Sequence, residues 1–149
     1  MSVQIHGSAV PVTIEAHLEA LLKEVLASTH FQNWISSLSS DFTVKSVHIQ
    51  SVDKFGPTIG FIKIKADIVD AKGRFVPGIV FLRGSSVVLL PVLECEGSVY
   101  TVLALQARVP VGQILFPEIP AGMVDGQSFT GAAAKELEQE TVLVFREEE

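Results

Sequence analysis

Hydrophobic positions along the chain change period from one stretch to the next. Residues 1–12 alternate loosely, with Val3, Ile5, Ala9, Val10 and Val12, which predicts a short strand or arm. Thr13 suits a helix N-cap, and Ile14, Leu18, Leu21, Leu22, Val25 and Leu26 then fall on one helical stripe. Ser28 or Thr29 can cap a second short helix carrying Phe31, Trp34, Ile35 and Leu38 along one side, with Trp34 as a packing anchor. From Val44 the period becomes two, through Val47, Ile49 and Val52, until Gly56-Pro57 punctuates the chain. Residues 59–69 alternate well: Phe61, Lys63 and Lys65 face one way, and Ile62, Ile64 and Ala66 the other. Asp70-Ala71-Lys72-Gly73 reads as a turn into residues 75–82, completing a hairpin. Residues 44–82 are therefore expected to form a small sheet separate from the C-terminal part of the chain.

Residues 87–93 are a continuous apolar run suited to a strand buried on both faces. A turn containing Gly97 leads to an antiparallel partner over 99–107, then a loop over 108–112 and a short strand over 114–116. A proline-bounded loop runs from Pro117 to Gly126, with Gly122 and Gly126 placed for turns or close backbone approach. A helix is expected over 130–141, built on Ala132, Ala133, Ala134 and Leu137. On it Glu136 and Glu140 lie one turn apart on the same face. Two readings are open for that pair: a solvated acidic face, or a carboxylate pair neutralised by a divalent cation such as Mg²⁺.

Composition narrows the classes. A chain of 149 residues, 48% hydrophobic, can form one core, or one domain with a small appendage. A net charge of −6 argues against a nucleic-acid footprint. It leaves room for a phosphate-bearing small substrate if a metal supplies positive charge locally. The single cysteine, Cys95, excludes an intrachain disulfide and reads as a partly buried thiol in a strand. No apolar run approaches the roughly 20 residues of a membrane span, and neither a signal peptide nor a transit segment is recognisable at the start. The expected setting is soluble, intracellular and cytoplasmic, or a plastid if an N-terminal extension precedes this sequence. His6, His17, His30 and His48 share no metal-ligand spacing.

The segment PAGMVDGQ…GAAAKELEQET resembles a Nudix box, the loop–helix–loop signature of hydrolases that cleave nucleoside diphosphates linked to another moiety. Gly122 matches the opening glycine, and Glu136, Leu137 and Glu140 match the core of the helix. Lys135 stands where arginine is usual, Gln139 where the first glutamate of a pair is usual, and Val142 where glycine is usual. Gln127 falls where the loop glutamate is expected. Upstream, VPGIVFLRGSSVVLLPVL and QARVPVGQILFPEIPAGMVD are similar to plant-type ADP-sugar diphosphatases, relatives of the ADP-ribose pyrophosphatase subgroup.

The resemblance implies an α+β (α/β) fold. A Nudix-type mixed sheet with a signature loop-helix, over 83–149, would follow an N-terminal helical and β-hairpin region over 1–82. That first region would serve dimerisation and the substrate cleft, and the second half of the Nudix fold would be missing after the helix. The resemblance also implies Mg²⁺ or Mn²⁺ held by Glu136, Glu140, Gln139 and the carbonyl of Ala121, with Lys135 beside them. Read from the residues alone, Arg108 is an exposed loop-edge arginine; by the resemblance it and Glu118 would face the substrate, an ADP-sugar such as ADP-glucose or ADP-ribose. The implied assembly is a homodimer, with neither nucleic acid nor membrane as partner. Gln139 and Gln127 each remove a negative charge, and Lys135 lacks the bidentate fork of arginine. The alternative is therefore an impaired module that binds a nucleotide sugar or dimerises without turnover.

Overall fold

The structure is a computed structural model that describes residues 1–123. By its contacts the chain divides into two compact units, Met1–Gly84 and Ser85–Glu149.

In the first unit, β1 (Ser2–Ile5) and β2 (Ser8–Ile14) form an antiparallel hairpin. Its two-residue turn, His6-Gly7, has positive φ at both positions, as the twist of adjoining strands requires. A 3-10 turn (Ala16–Leu21), α1 (Leu22–Ala27) and α2 (Thr29–Ser37) follow. They carry the chain over to β3 (Thr43–Phe55), which pairs with β2 in parallel. β3 turns at Gly56-Pro57 into the antiparallel β4 (Thr58–Val69). Two short strands, β5 (Phe75–Val76) and β6 (Ile79–Leu82), both pair with β4. The result is a six-stranded mixed sheet, in keeping with the expected α+β class.

Alternation along β4 sets the layers. Ile59, Ile62, Ile64, Ala66 and Ile68 are buried, while Lys63, Lys65 and Asp67 between them are exposed. The buried set joins Val12, Ile14, Val47 and Ile49 from the neighbouring strands, and Leu22, Val25 and Phe31 from the helices, in one core. Leu18, Leu21, Leu26, Trp34 and Ile35 pack against it as the helical stripes predict. Trp34 meets Phe31 edge-on at 5.8 Å. Ser28 caps α2, its hydroxyl accepting from the Phe31 N–H at 3.3 Å. The Asp70 turn closes on its own side chain, which accepts from the backbone N–H groups of Lys72 and Arg74 at 2.9 Å each.

Thr13 caps no helix. β2 continues through Ile14, whose buried side chain belongs to the sheet, and the first helical turn starts only at Ala16. The strand expected over 75–82 is broken at Pro77-Gly78 into β5 and β6, because proline offers no N–H to a ladder.

The second unit consists, in its described part, of short two-stranded pairings. These are β7 (Ser86–Val88), β8 (Val92–Cys95), β9 (Ser98–Thr101), β10 (Ala104–Arg108), β11 (Gln113–Glu118) and β12 (Ala121–Met123). β7 pairs with β12, β8 with β9, and β10 with β11. The single buried strand expected over 87–93 is not formed. Pro91 interrupts it, Val87 alone of its β-branched residues is buried, and Val88 and Val92 are exposed. Cys95 lies in a strand as expected but is exposed rather than partly buried. The strand expected over 99–107 divides into β9 and β10, which belong to different pairs.

Candidate functional site

The β10–β11 hairpin builds the site from its register. Ala104 stands opposite Glu118, Leu105 opposite Pro117 and Gln106 opposite Phe116. Between Gln106 and Arg108 the register slips, so that Arg108 stands opposite Gln113. A 3-10 turn (Val109–Val111) and Gly112, at φ 70°, close the hairpin. Side chains on a strand alternate between faces, so Ala104, Gln106, Arg108, Phe116 and Glu118 occupy one face. That face is buried or half-buried, whereas Leu105, Leu115 and Pro117 on the other are exposed.

Arg108 lies along this face and reaches Glu118. Its Nε donates to Glu118 Oε2 at 2.8 Å, and its Nη2 donates to Oε1. Two parallel bonds between a planar guanidinium and a carboxylate form the strongest and most directional type of ion pair. The hydrogen bond from Arg108 holds the Glu118 carboxyl below the usual carboxylate range. Partial burial opposes that shift and the arginine charge adds to it. Glu118 is the more enclosed partner, with 18% of its side chain exposed against 39% for Arg108.

The resemblance implies that both residues face a substrate, and the sequence sets Arg108 in a loop. Arg108 instead ends β10, and the pair is joined. The link is readable in principle: a hairpin centred on 110–112 places even-numbered positions of both strands on one face. A loop over 108–112 conceals it.

From Glu118 the chain passes through buried Pro120 into β12, which lies against β7 with Ala121 opposite Val88 and Gly122 opposite Val87. The Pro120 carbonyl accepts from the Leu89 N–H at 3.0 Å. Gly122 is buried within this strand rather than placed in a turn. Ala121, the expected carbonyl ligand, therefore sits on a paired strand. Lys135, Glu136, Gln139 and Glu140, with Gln127, lie outside the described residues. Among the described residues no group of three or more His, Cys, Asp or Glu could hold a metal ion. No described helix is long and apolar enough to cross a membrane.

The first unit holds two further polar features. His48 lies between Thr13, whose Oγ1 is 2.9 Å from Nδ1, and Glu15, whose Oε1 is 3.0 Å from Nε2. Spacing alone assigns the histidines no chemistry; in the fold this one fastens β2 to β3. A cavity of about 570 Å³ opens beside it, lined by Ser46, His48, Lys65, Asp67, Phe75 and Ile79, among others.

No family model matches the chain. It is nevertheless 44% identical over 138 residues to a protein of Arabidopsis thaliana described as "Nudix hydrolase 14, chloroplastic". The chain is a Nudix hydrolase homologue. The alignment takes in 85% of this chain and 44% of the relative, so the homologue spans less than half the length of the protein it matches. By chemistry alone, the residue types expected as ligands, two glutamates, a glutamine and a backbone carbonyl, each offer oxygen, the donor that a hard cation such as Mg²⁺ or Mn²⁺ accepts.

Proposed function

We propose that this Nudix homologue hydrolyses the diphosphate of an ADP-sugar. ADP-ribose would give AMP and ribose 5-phosphate, and ADP-glucose would give AMP and glucose 1-phosphate. The observation that carries the reading is the Arg108–Glu118 fork immediately upstream of the Nudix segment. A planar guanidinium suits diphosphate oxygens, and β11 runs from this pair directly into Ala121 and Gly122.

In the reaction, water attacks one phosphorus and the bridging P–O bond breaks. The proton from water is lost to a base, and the departing phosphate carries away the negative charge. Arg108 draws the diphosphate in and offsets its charge. Glu136, Glu140, Gln139 and the Ala121 carbonyl would hold a divalent cation, with Lys135 paired to an acidic neighbour. When bound, such an ion polarises the phosphoryl group and lowers the pKa of its water. Gln139 and Gln127 supply oxygen without charge, which favours weaker cation binding than a full set of carboxylates.

The test is release of AMP from ADP-ribose and ADP-glucose with Mg²⁺, followed by chromatography. The expected result is metal-dependent AMP release from at least one of them. No release at enzyme concentrations where a known Nudix diphosphatase works would sink the proposal.

A second reading is a module that binds a nucleotide sugar and dimerises without turnover. Its support is the outer face of the first unit's sheet, where Phe55, Phe75, Ile79 and Phe81 are exposed and Phe61 meets Phe55 edge-on at 5.0 Å and Phe81 at a tilt at 5.2 Å. We assign this face to a homodimer in either reading, and sedimentation of the protein as a monomer would overturn it. Calorimetry with ADP-ribose and Mg²⁺ separates the readings, since binding without AMP release favours the module.

A further inference from the structure

We infer that Glu118 is a positioning residue, which sets the Arg108 guanidinium for the diphosphate and does not itself contact the phosphate oxygens. The inference rests on the diphosphate-hydrolysis reading. Three observations carry it.

The first is charge. An ionised carboxylate is only an acceptor, and a diphosphate offers it nothing but further acceptors and like charge. A Glu118 pressed against phosphate oxygens would oppose binding. The second is occupancy. Both Glu118 oxygens already accept from Arg108, one from Nε and one from Nη2. The third is geometry. Engaging Nε and Nη2 together fixes the plane of the guanidinium as well as its place, because the two bonds are parallel. Of the five donors of that group, Glu118 takes two.

Plain alternation along β10 places Arg108 on the face that carries Glu118, and the register slip beyond Gln106 sets it opposite Gln113. Without the carboxylate, the long arginine side chain would keep its charge but lose its orientation. Lost alignment at a phosphate clamp costs about tenfold or more in rate even with all groups present.

The experiment is a double-mutant cycle with ADP-ribose and Mg²⁺. It compares wild type, R108A, E118Q, E118A and R108A/E118A, measured by initial rates of AMP release and by thermal melting. The expected result is that E118Q and E118A raise KM about tenfold or more, while adding E118A to R108A changes KM less than twofold. E118D is expected to fail as a rescue, because its carboxylate is one methylene short of the fork. The charge swap R108E/E118R is expected to restore melting toward wild type without restoring KM.

Additive effects of E118A and R108A on KM would show that Glu118 acts on the substrate by itself, and would overturn the inference. Recovery of KM by the charge swap would reduce the pair to a structural tie, and would also overturn it. A wild-type protein that neither binds nor cleaves ADP-ribose overturns the diphosphate reading and this inference together. An active wild type with an additive cycle overturns the inference alone.

Discussion

Gly78 stands so close to Ala66 that a Cβ added to it would lie 2.1 Å from the Ala66 carbonyl oxygen. The Ala66 N–H donates to the Gly78 carbonyl at 2.8 Å, so the two backbones are held together. This contact lets the chain step from β5 to β6 while both remain on β4. The obstacle is backbone and cannot swing aside. G78A is therefore expected to destabilise the first unit by about 1–3 kcal/mol, the usual cost of overpacking. Gly60 gives the control. A Cβ there meets the Phe55 ring at 2.5 Å, but that ring is exposed and can rotate away. G60A should cost clearly less than G78A in urea unfolding, and equal costs would contradict the account.

Phe31 is fully buried at the helix–sheet interface, whereas Phe81 is 55% exposed on the outer face. F31A is expected to lower stability by about 3–5 kcal/mol, as for other large-to-small changes at aromatic core positions. F81A should leave the monomer's urea midpoint almost unchanged and weaken self-association instead. Sedimentation and denaturation of the two variants check both statements.

Ser28 joins α1 to α2, donating its hydroxyl to the Val25 carbonyl at 2.7 Å and capping the Phe31 N–H. S28A is expected to cost about 1 kcal/mol, and S28G only a few tenths more or less than wild type if the cap alone is at issue. Both variants lose the hydroxyl, so the difference between them, read by thermal melting, reports the backbone preference at the cap.

Glu118 makes stability depend on pH in a definite direction. Its carboxyl is held below the ordinary value of 4.5 by Arg108. A carboxylate with a depressed folded value contributes stability that is complete above the unfolded value and is lost as pH falls through the folded one. The second unit should therefore loosen below about pH 4.5, and E118Q should flatten that part of the profile. Near-UV circular dichroism on a titration into acid would show it, and an unchanged profile in E118Q would contradict the assignment.

The carboxylates of the Nudix segment give the corresponding activity prediction. E136Q and E140Q keep size and oxygen but remove charge. Each is expected to reduce Mg²⁺-dependent AMP release by at least about 100-fold, since disturbing even the outer partners of a metal ligand costs 10–100-fold. Chelation of the cation should act the same way on wild type. Activity in E140Q equal to wild type would remove it from the proposed ligand set.

Much of the first unit is legible in the chain because one signal dominates each stretch. Alternation in β4 is unbroken from Ile62 to Ile68, and a one-residue slip would turn every isoleucine outward, so register and buried face come together. Ser28 likewise offers a capping hydroxyl before an apolar stripe. Thr13 offers the same local signal and misleads, because the parallel pairing of β2 with β3 claims Ile14 for the sheet. Long-range pairing of this kind leaves no trace in a local window. The run 87–93 misleads for a different reason. Its apolar content suggests burial, but Pro91 limits the ladder, and Val88, Leu90 and Val92 are exposed. At the site, Arg108 and Glu118 each stand out by residue type, and their shared face follows from alternation in the hairpin, which a loop read over 108–112 conceals.

The parallel pairing of β2 with β3 has a further consequence for how the sheet is assembled. β3 and β4 meet across Gly56-Pro57, so their closure spans almost no chain. β2 reaches β3 only after residues 15–42 have turned back over the sheet, and Val12 must find Val47 across that whole excursion. Contacts between distant residues carry the larger closure entropy and form later. The sheet is therefore expected to grow outward from β3–β4, with the β1–β2 hairpin, though it is synthesised first, docking on β3 later.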